Sequence, residues 1–325
     1  MGDESTTTPT TPATPAADQT ADQAAAPAAD RTGTPAAAER PAYPPAKHFL
    51  RDLDSQSWQV TAERVLMSAP LTDGHRNAAG SVALGFLAAL VDIAAAPVAL
   101  IAGAPDWTAT QDMSLHAAGW LTEGPAVVDA HLERVGKNTV IVSVDVYDGA
   151  GRTDPDEQLA AVEAGELALT GKGLLTFARI PRAASVSAGQ FDPAQMVGQK
   201  RTMPPEGPVV GTMLERIGLT VVDPEGAVVE IAHSGYVRNS FGTINGGVLG
   251  AVFQAAAEAA RPGLVATDLQ IHYLSQVKTG PARTSGTVSR DAFGHSIVSL
   301  RAVDAGNDDQ LLDLATVTLQ APPTD

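Results

Sequence analysis

The stretch RNAAGSVALGFLAALVDIAAA (residues 76–96) decides the fold, because its pattern recurs as RNSFGTINGGVLGAVFQAAAE (residues 238–258). The Arg-Asn pair, Gly80 and Gly85 recur as a second Arg-Asn pair, Gly242 and Gly247, all at a spacing of 162 residues. Self-similarity at a fixed spacing is the signature of a duplicated structural unit. The sequence therefore predicts two copies of one fold, each with a long apolar helix.

A second shared motif follows each predicted helix. The stretch TQDMSLH (residues 110–116) corresponds to ATDLQIH (residues 266–272), at a spacing of 156. The second copy is thus six residues shorter between helix and strand, where a loop tolerates deletion best. Alternating apolar runs rich in Val, Ile and Thr come next, and they are typical of strands. They read AVVDAHLERV, NTVIVSVDVYD and ELALTGKGLLTFARI in the first half, and ARTSGTVSRD, HSIVSLRAVD and LLDLATVTLQ in the second. The order predicts an α+β fold in which an antiparallel sheet wraps each helix.

Composition divides the chain into four predicted regions. Residues 1–46 contain no Leu, Ile, Val, Phe or Trp and are mainly Ala, Pro, Thr and Asp. Such a segment cannot bury enough apolar surface to offset the entropy lost on ordering, so a disordered tail is predicted. An N-terminal domain is predicted over residues 47–180, a linker with weak periodicity over residues 181–207, and a C-terminal domain over residues 208–325.

The charge and the residue types exclude several function classes. The chain carries a formal net charge of −16, and residues 47–325 hold 31 acidic against 19 basic residues. An acidic surface repels phosphate backbones, so nucleic acid is not an expected partner. The absence of cysteine excludes disulfides, thiolate nucleophiles and thiolate metal sites. The seven histidines form no close-spaced ligand pair, and neither a metal nor another cofactor is expected.

The apolar stretch over residues 81–105 is long enough for a membrane-spanning helix. However, Asp92 lies near its middle, Gly85 and Pro97 interrupt it, and no basic cluster flanks it. A buried helix of a soluble protein is therefore favoured over a membrane span. The N-terminus shows neither the basic n-region nor the apolar h-region of a secretory signal, so a cytoplasmic location is expected.

The second half contains Asn239, five intervening residues, and then Asn245-Gly246-Gly247 at the predicted start of a helix. This resembles the Asn-x5-His-Gly-Gly signature of the hotdog thioesterases, particularly the PaaI-like group. In that family the helix carries an Asp nine residues after the His position, and a Ser or Thr stands two residues before the Asp of the next strand. The resemblance covers about 47–180 and 208–320, and it implies a double hotdog that hydrolyses acyl-CoA or carrier-bound thioesters.

Each half keeps what the other has lost of this pattern. The first half has the helix acid, Asp92, and the hydroxyl, Thr110, but its glycine turn is degraded to Ala83-Leu84-Gly85. The second half has the glycine turn, whereas Gln254 replaces the acid and Ala266 replaces the hydroxyl. Active sites of the family combine the turn of one hotdog with the acid of its partner. The resemblance therefore implies one complete site and one degenerate site.

The residues that the resemblance assigns form three groups. The expected catalytic residues are Asp92, Thr110, Asn239, Asn245 and Gly246. Gly247 and Arg238 are expected to contact the substrate. The expected degenerate site contains Asn77, Leu84, Gln254 and Ala266 and should be inert.

Thioester hydrolysis requires stabilisation of the carbonyl oxyanion and delivery of water to the carbonyl carbon. Backbone N–H groups at a helix start carry the positive end of the helix dipole, so Gly246 is the expected oxyanion donor. Asp92 is expected to act as general base or nucleophile, with Thr110 orienting it and Asn239 holding the carbonyl or the water. Asn245 stands where the family has a His. A non-catalytic acyl-thioester or lipid-binding protein is therefore the alternative, and a hydratase ranks last.

Each of these residues also has a purely structural interpretation. Asp92 can be a buried acid satisfied by a hydroxyl, the glycines can permit close packing, and Asn77 and Asn239 can act as caps. His116 and His272 occupy matching positions, which favours a structural role in both copies. The joint spacing, split between the halves in complementary fashion, favours a site over these alternatives. A homodimer of tandem chains is expected from fold analogy alone.

Overall fold

The computed structural model describes residues 43–182 and 192–323. Most of the predicted tail (residues 1–42) and part of the predicted linker (residues 183–191) lie outside the described residues.

Five α-helices occur in the described part of the chain. They are α1 (Phe49–Asp52), α2 (Leu84–Gly103), α3 (Pro155–Glu163), α4 (Met213–Arg216) and α5 (Gly246–Ala260), with short 3-10 helices at Asp73–His75 and Pro193–Met196. The strands of the first half and the linker are β1 (Ser55–Thr61), β2 (Arg64–Ala69), β3 (Trp107–Ala117), β4 (Ala126–Val135), β5 (Thr139–Asp148), β6 (Ala168–Ile180) and β7 (Lys200–Met203). Those of the second half are β8 (Thr220–Asp223), β9 (Val228–Ile231), β10 (Val265–Tyr273), β11 (Ala282–Ala292), β12 (His295–Asp304) and β13 (Gln310–Gln320).

All thirteen strands belong to one antiparallel sheet, in the order β7-β1-β2-β4-β5-β6-β3-β10-β13-β12-β11-β9-β8. The first half of the chain supplies one side of the sheet and the second half the other. The two sides meet where β3 pairs with β10, in a register that places Asp268 opposite His116 and His272 opposite Asp112. We call this boundary the β3–β10 junction.

The matched histidines bind across this junction. Nδ1 of His116 lies 2.9 Å from Oδ1 of Asp268, and Nδ1 of His272 lies 2.5 Å from Oδ1 of Asp112. All four side chains are partly exposed on the sheet. The Asp-x3-His motif that both copies share therefore forms two equivalent contacts that hold the halves together.

The helices α2 and α5 pack against each other through small residues. A Cβ added to Gly247 would lie 2.4 Å from Cα of Ala89, and one added to Gly85 would lie 2.4 Å from Cα of Ala251. No side chain fits at either point, so glycine is required for this close approach. As a result, the start of each helix lies against the middle of the other.

The helix α2 is the core helix of the first half, although its length and hydropathy would also suit a membrane span. Most of its residues are buried against the sheet and against α5. Asp92 is one of these buried residues. This packing agrees with the buried helix that the sequence predicts.

Both halves keep the same acid in the same turn. Asp148 accepts hydrogen bonds from the backbone N–H groups of residues 122–124, and Asp304 accepts them from residues 278–280. Burial acts to raise the pKa of each carboxyl, but these backbone donors hold both pKa values below the ordinary aspartate range. The duplicated frame thus retains its turn acids as well as its helices.

The periodicity of the sequence did not predict several of the strands. The hairpin of β1 and β2 extends the side of the sheet that the first half supplies, and β7 pairs with β1 at its edge. The strand β7 falls within the range predicted as linker, residues 181–207. In the second half, β8 and β9 are only four residues each and extend the opposite edge.

Candidate active site

A cavity of about 580 Å³ lies between α2, the start of α5 and the strands β3, β10 and β13. We call it the open cavity. The five side chains or backbone positions predicted as catalytic all line it: Asp92, Thr110, Asn239, Asn245 and Gly246. They come from both halves of the chain, and the packing of the two helices brings them together.

Asp92 projects from the middle of α2 and is only 7% exposed. The hydroxyl of Thr110, on β3, donates a hydrogen bond of 2.7 Å to Oδ1 of Asp92. Burial raises the pKa of Asp92, while the Thr110 hydroxyl and the nearby Gly247 N–H oppose that rise. The result is a carboxyl whose pKa lies above the ordinary aspartate value, oriented by a hydroxyl.

Gly246 is the first residue of α5 and faces Asp92 directly. A Cβ added to Gly246 would lie 3.4 Å from Oδ2 of Asp92, so the missing side chain leaves the space beside the carboxyl open. Within the described residues, the Gly246 N–H has no hydrogen-bond acceptor. A free N–H at a helix start, with the dipole behind it, can donate to a developing negative charge.

Asn245 is the N-cap of α5, and it is 8% exposed. Its Oδ1 accepts a hydrogen bond of 2.9 Å from the Gly247 N–H, as N-cap side chains commonly do. Oδ1 is thus occupied as an acceptor, and Nδ2 is the donor that Asn245 can offer to the open cavity. Asn245 thus caps the helix and also offers a second donor beside the Gly246 N–H.

Asn239 stabilises the turn that precedes α5. Its Oδ1 accepts from the backbone N–H groups of Phe241 and Thr243, at 2.9 and 3.3 Å. Asn77 makes the equivalent pair of bonds in the first half, and its Nδ2 also donates to the carbonyl oxygen of Val82. Nδ2 of Asn239 has no such partner in the described part of the chain, so it is available at the open cavity.

Two residues predicted to contact the substrate are not brought to the cavity wall. Gly247 packs against the backbone of Ala89, and its N–H is already bound by Asn245. The side chain of Arg238 is exposed, and its backbone carbonyl accepts from Nε2 of His48 at 2.8 Å. The structure therefore gives Gly247 a packing role and leaves the Arg238 side chain at the surface.

The predicted degenerate site is almost filled. A pocket of about 20 Å³, which we call the closed pocket, is lined by Asn77, Leu84, Ala266 and their neighbours. The side chain of Leu84 is 2% exposed and stands at the position that Gly246 occupies in the other half. A buried leucine thus takes the space that a glycine leaves open.

Gln254 occupies the position equivalent to Asp92. Its Oε1 accepts a hydrogen bond of 2.5 Å from the N–H of Gly85, at the start of α2. Its Nε2 donates to both oxygens of Glu258, one turn later, at 3.0 Å. Burial raises the pKa of Glu258, and bonds from the Ala266 N–H and from Gln254 oppose that rise. The amide and the acid satisfy each other, and neither lines the open cavity or the closed pocket.

Sequence reasoning missed two residues of the open cavity. The hydroxyl of Tyr273, at the end of β10, donates to the carbonyl oxygen of Gly246 at 2.8 Å. Asp313, on β13, also lines the cavity and is fully buried. Tyr273 follows the matched His272 directly, and Asp313 is the one acid in an alternating apolar run. The presence of an acid at an inward-facing position of this apolar strand is the sequence feature that could have identified Asp313.

The remaining wall of the open cavity is largely apolar. On α2 it is formed by Ile93, Ala96, Pro97 and Leu100, which lie on one face of the helix beyond Asp92. Phe177 of β6 and two methionines of the linker segment complete this side. An apolar chain can therefore lie beside the carboxyl without leaving polar groups unpaired.

Comparison with known proteins rests on structure alone. No protein-family model and no curated protein sequence matches the chain. The TesB protein of Mycobacterium avium subspecies paratuberculosis superimposes with a TM-score of 0.51 at 13% identity, covering 85% of this chain and 98% of that one. The 12:0-ACP thioesterase of Umbellularia californica gives a TM-score of 0.50 at 8% identity, covering 79% of this chain and 94% of that one.

The chain has the double-hotdog fold. The α+β prediction of two sheet-wrapped helices in one chain is thereby confirmed. In this double hotdog the open cavity combines the acid of the first hotdog with the helix start of the second, which is the pairing that the complementary motifs implied.

Proposed function

We propose that this double hotdog hydrolyses acyl thioesters of coenzyme A or of a carrier protein, and that it does so in the open cavity alone. Of the two structural neighbours named above, one is called a 12:0-ACP thioesterase and the other a TesB protein. Those names support the reaction class. The proposal for the site rests on the residues of this chain.

One observation carries the proposal. A buried carboxyl, Asp92, faces the unoccupied N–H of Gly246 at a helix start, inside a cavity with a largely apolar wall. A base and an oxyanion donor on either side of one space are the two groups that thioester hydrolysis needs. The closed pocket offers neither the acid nor the space.

The chemistry follows from these positions. The carboxylate of Asp92 accepts a proton from water, whose oxygen adds to the carbonyl carbon. The N–H of Gly246 and Nδ2 of Asn245 donate to the oxyanion, an arrangement worth about 3 kcal/mol per donor in other hydrolases. The tetrahedral intermediate then collapses, the carbon–sulfur bond breaks, and the proton held by Asp92 neutralises the departing thiolate. Direct attack by the carboxylate is the other route open to the same residue.

Asn245 stands where the family motif has a histidine, and this substitution favours a second candidate function. Asn245 cannot transfer a proton, although it keeps a donor beside Gly246. A protein that binds acyl thioesters without hydrolysing them would retain the same cavity. Hydrolysis and binding are therefore measured together in the experiment below.

A cytoplasmic location stays a prediction from the sequence. The PaaI-like assignment and the homodimer of tandem chains stay predictions from the sequence and from fold analogy.

The test is a hydrolysis screen over acyl-CoAs of graded chain length. The chain has no cysteine, so a thiol reagent in the assay reports only the released coenzyme A. We expect at least one acyl-CoA to be hydrolysed, and Asp92→Asn to lower kcat by about 10³-fold, within the range typical of a lost general base.

The matched control is Glu258→Gln, since Glu258 is also a buried helix acid with a raised pKa. We expect its kcat to stay within about twofold of the wild-type value. Comparable losses in both variants would contradict the assignment of the open cavity. Tight acyl-CoA binding by the wild type without release of thiol over hours would establish the binding protein instead.

A further inference from the structure

Asp313 is a buried acid that the reaction described above does not use. It lies on the inward face of β13 at 0% exposure, and it lines the open cavity. Neither of its carboxyl oxygens has a hydrogen-bond partner, and no Lys, Arg or His forms an ion pair with it, among the described residues. A buried polar group without a partner destabilises the folded protein, so a ligand that supplies a partner would remove that cost.

Asp313 is close to the proposed reaction centre. In the register of β10 and β13 it stands directly opposite Tyr273, whose hydroxyl binds the carbonyl oxygen of Gly246. Burial raises the pKa of Tyr273 well above its ordinary value, and the charges of Asp92 and Asp313 add to that rise. Tyr273 is therefore near both acids, and it connects Asp313 to the start of α5.

The protonation state of Asp313 follows from its surroundings. Burial raises the pKa of this carboxyl well above the ordinary aspartate value, and no nearby cation or donor opposes the rise. A protonated carboxyl offers one O–H donor together with a carbonyl acceptor. Its complement is a neutral oxygen group, such as a hydroxyl or a ketone.

The equivalent positions in the other half support a role in ligand recognition. In the register of β3 and β6, Ala117 stands opposite Gly171, as Tyr273 stands opposite Asp313. The closed pocket therefore lacks both polar side chains. A residue needed only for folding would be expected in both copies, as the turn acids Asp148 and Asp304 are.

We propose that Asp313 determines substrate specificity by hydrogen-bonding an oxygen substituent on the acyl group, so that the preferred substrate is a hydroxyacyl or oxoacyl thioester. This inference rests on the proposed function, and it adds the substrate class. In the proposed function the acyl group occupies the largely apolar interior of the open cavity, which Asp313 also lines. An unsubstituted alkyl chain at this position would leave the carboxyl unpaired.

The experiment compares ligands that differ in one group. Affinities for octanoyl-CoA and for its 3-hydroxy, 3-oxo, ω-hydroxy and ω-amino derivatives are measured by calorimetry in the Asp92→Asn variant, which keeps the thioester intact. We expect at least one hydroxy or oxo derivative to bind about 10- to 100-fold more tightly than octanoyl-CoA, the range that an unpaired buried polar group produces. Asp313→Leu in the same background should reduce this ratio to about one.

Two further variants make the result specific. Asp313→Asn keeps a donor and should retain part of the preference. Gln276→Leu replaces another polar residue of the cavity wall, one that is exposed, and should keep the ratio. Thermal unfolding of Asp313→Leu confirms that the variant is folded, and its Tm should not fall, because the substitution removes an unpaired buried acid.

Three results would overturn the inference: no oxygenated derivative binds more tightly, the preference survives Asp313→Leu, or the ω-amino derivative binds best. The proposed function fails separately. If the wild type hydrolyses none of these thioesters but the binding ratio depends on Asp313, then the recognition stands and the catalysis does not. If hydrolysis depends on Asp92 but the oxygenated derivatives bind no more tightly than octanoyl-CoA, then only the proposed role of Asp313 fails.

Discussion

The open cavity and the closed pocket are built on the same backbone and differ in a few side chains. The turn before each helix is retained, with Gly80 and Gly242 at φ values of +73° and +85°. At the first residue of the helix, however, Gly246 in one half corresponds to Leu84 in the other. The volumes are about 580 and 20 Å³. The comparison shows that the same frame can enclose a cavity in one half and be almost filled at the equivalent place in the other.

The residues that both halves share have contacts that stabilise the frame. Asp148 and Asp304 bind the backbone of equivalent turns, and Asn77 and Asn239 hold the loops before the helices. By contrast, three residues that line the open cavity, Asp92, Gly246 and Asp313, have no equivalent in the other half. At these positions the difference between the copies coincides with the candidate site.

Among changes at the two helix starts, the largest effect on activity is expected at Gly246, the first residue of α5. A Cβ at Gly246 would lie 3.3 Å from the Tyr273 ring and 3.4 Å from Asp92, so Gly246→Ala must displace one of them by a few tenths of an ångström. We expect kcat/KM to fall about 10- to 100-fold with little change in Tm, because small misplacements of a base are costly. Steady-state kinetics and thermal unfolding measure the two quantities.

The matched variant is Leu84→Ala, at the equivalent position of α2. It removes buried side-chain volume, so it should lower the free energy of unfolding by about 2–5 kcal/mol. Its kcat/KM, measured well below its Tm, should remain near the wild-type value. The comparison between the two halves would break down if Leu84→Ala lost activity as Gly246→Ala does.

A smaller effect is expected for Thr110→Val, and it appears in the pH profile. A general base acts only when ionised, so kcat/KM should rise with pH through the pKa of Asp92. Burial raises that pKa, and the Thr110 hydroxyl bond lowers it. Loss of the hydroxyl should therefore raise the pKa further and shift the acid limb of the profile to higher pH.

The control is Thr267→Val, which removes a hydroxyl bound to Asp268, near the β3–β10 junction. It should leave the acid limb in place. An unchanged limb in Thr110→Val, or a shift toward lower pH, would show that Asp92 is not the titrating base.

Much of the fold could be predicted because the chain contains its pattern twice. The strand β4 and the strand β12 agree with the apolar runs AVVDAHLERV and HSIVSLRAVD residue for residue. The short edge strands β7 to β9 carry too few alternating residues for a period to be detected. Their positions are decided by pairing with β1 and β11, which sequence spacing does not show.

Some residues of the candidate site could likewise be predicted from the sequence, and others could not. Asp92 and Gly246 could be paired from the sequence, because each half lacked what the other kept. Asp313 and Tyr273 could not, since their role depends on two strands meeting at one register. Gly247 was assigned to substrate contact because the motif includes it, whereas the contact with α2 explains why glycine is required there.

The most direct test is a crystal structure of the Asp92→Asn variant with an intact acyl-CoA. The account predicts one acyl group per chain, in the open cavity, with the thioester carbonyl oxygen about 3 Å from the Gly246 N–H. The apolar part of the chain should lie against the α2 face that contains Ile93 and Leu100. An acyl group in the closed pocket, or a carbonyl oxygen turned away from the start of α5, would contradict it.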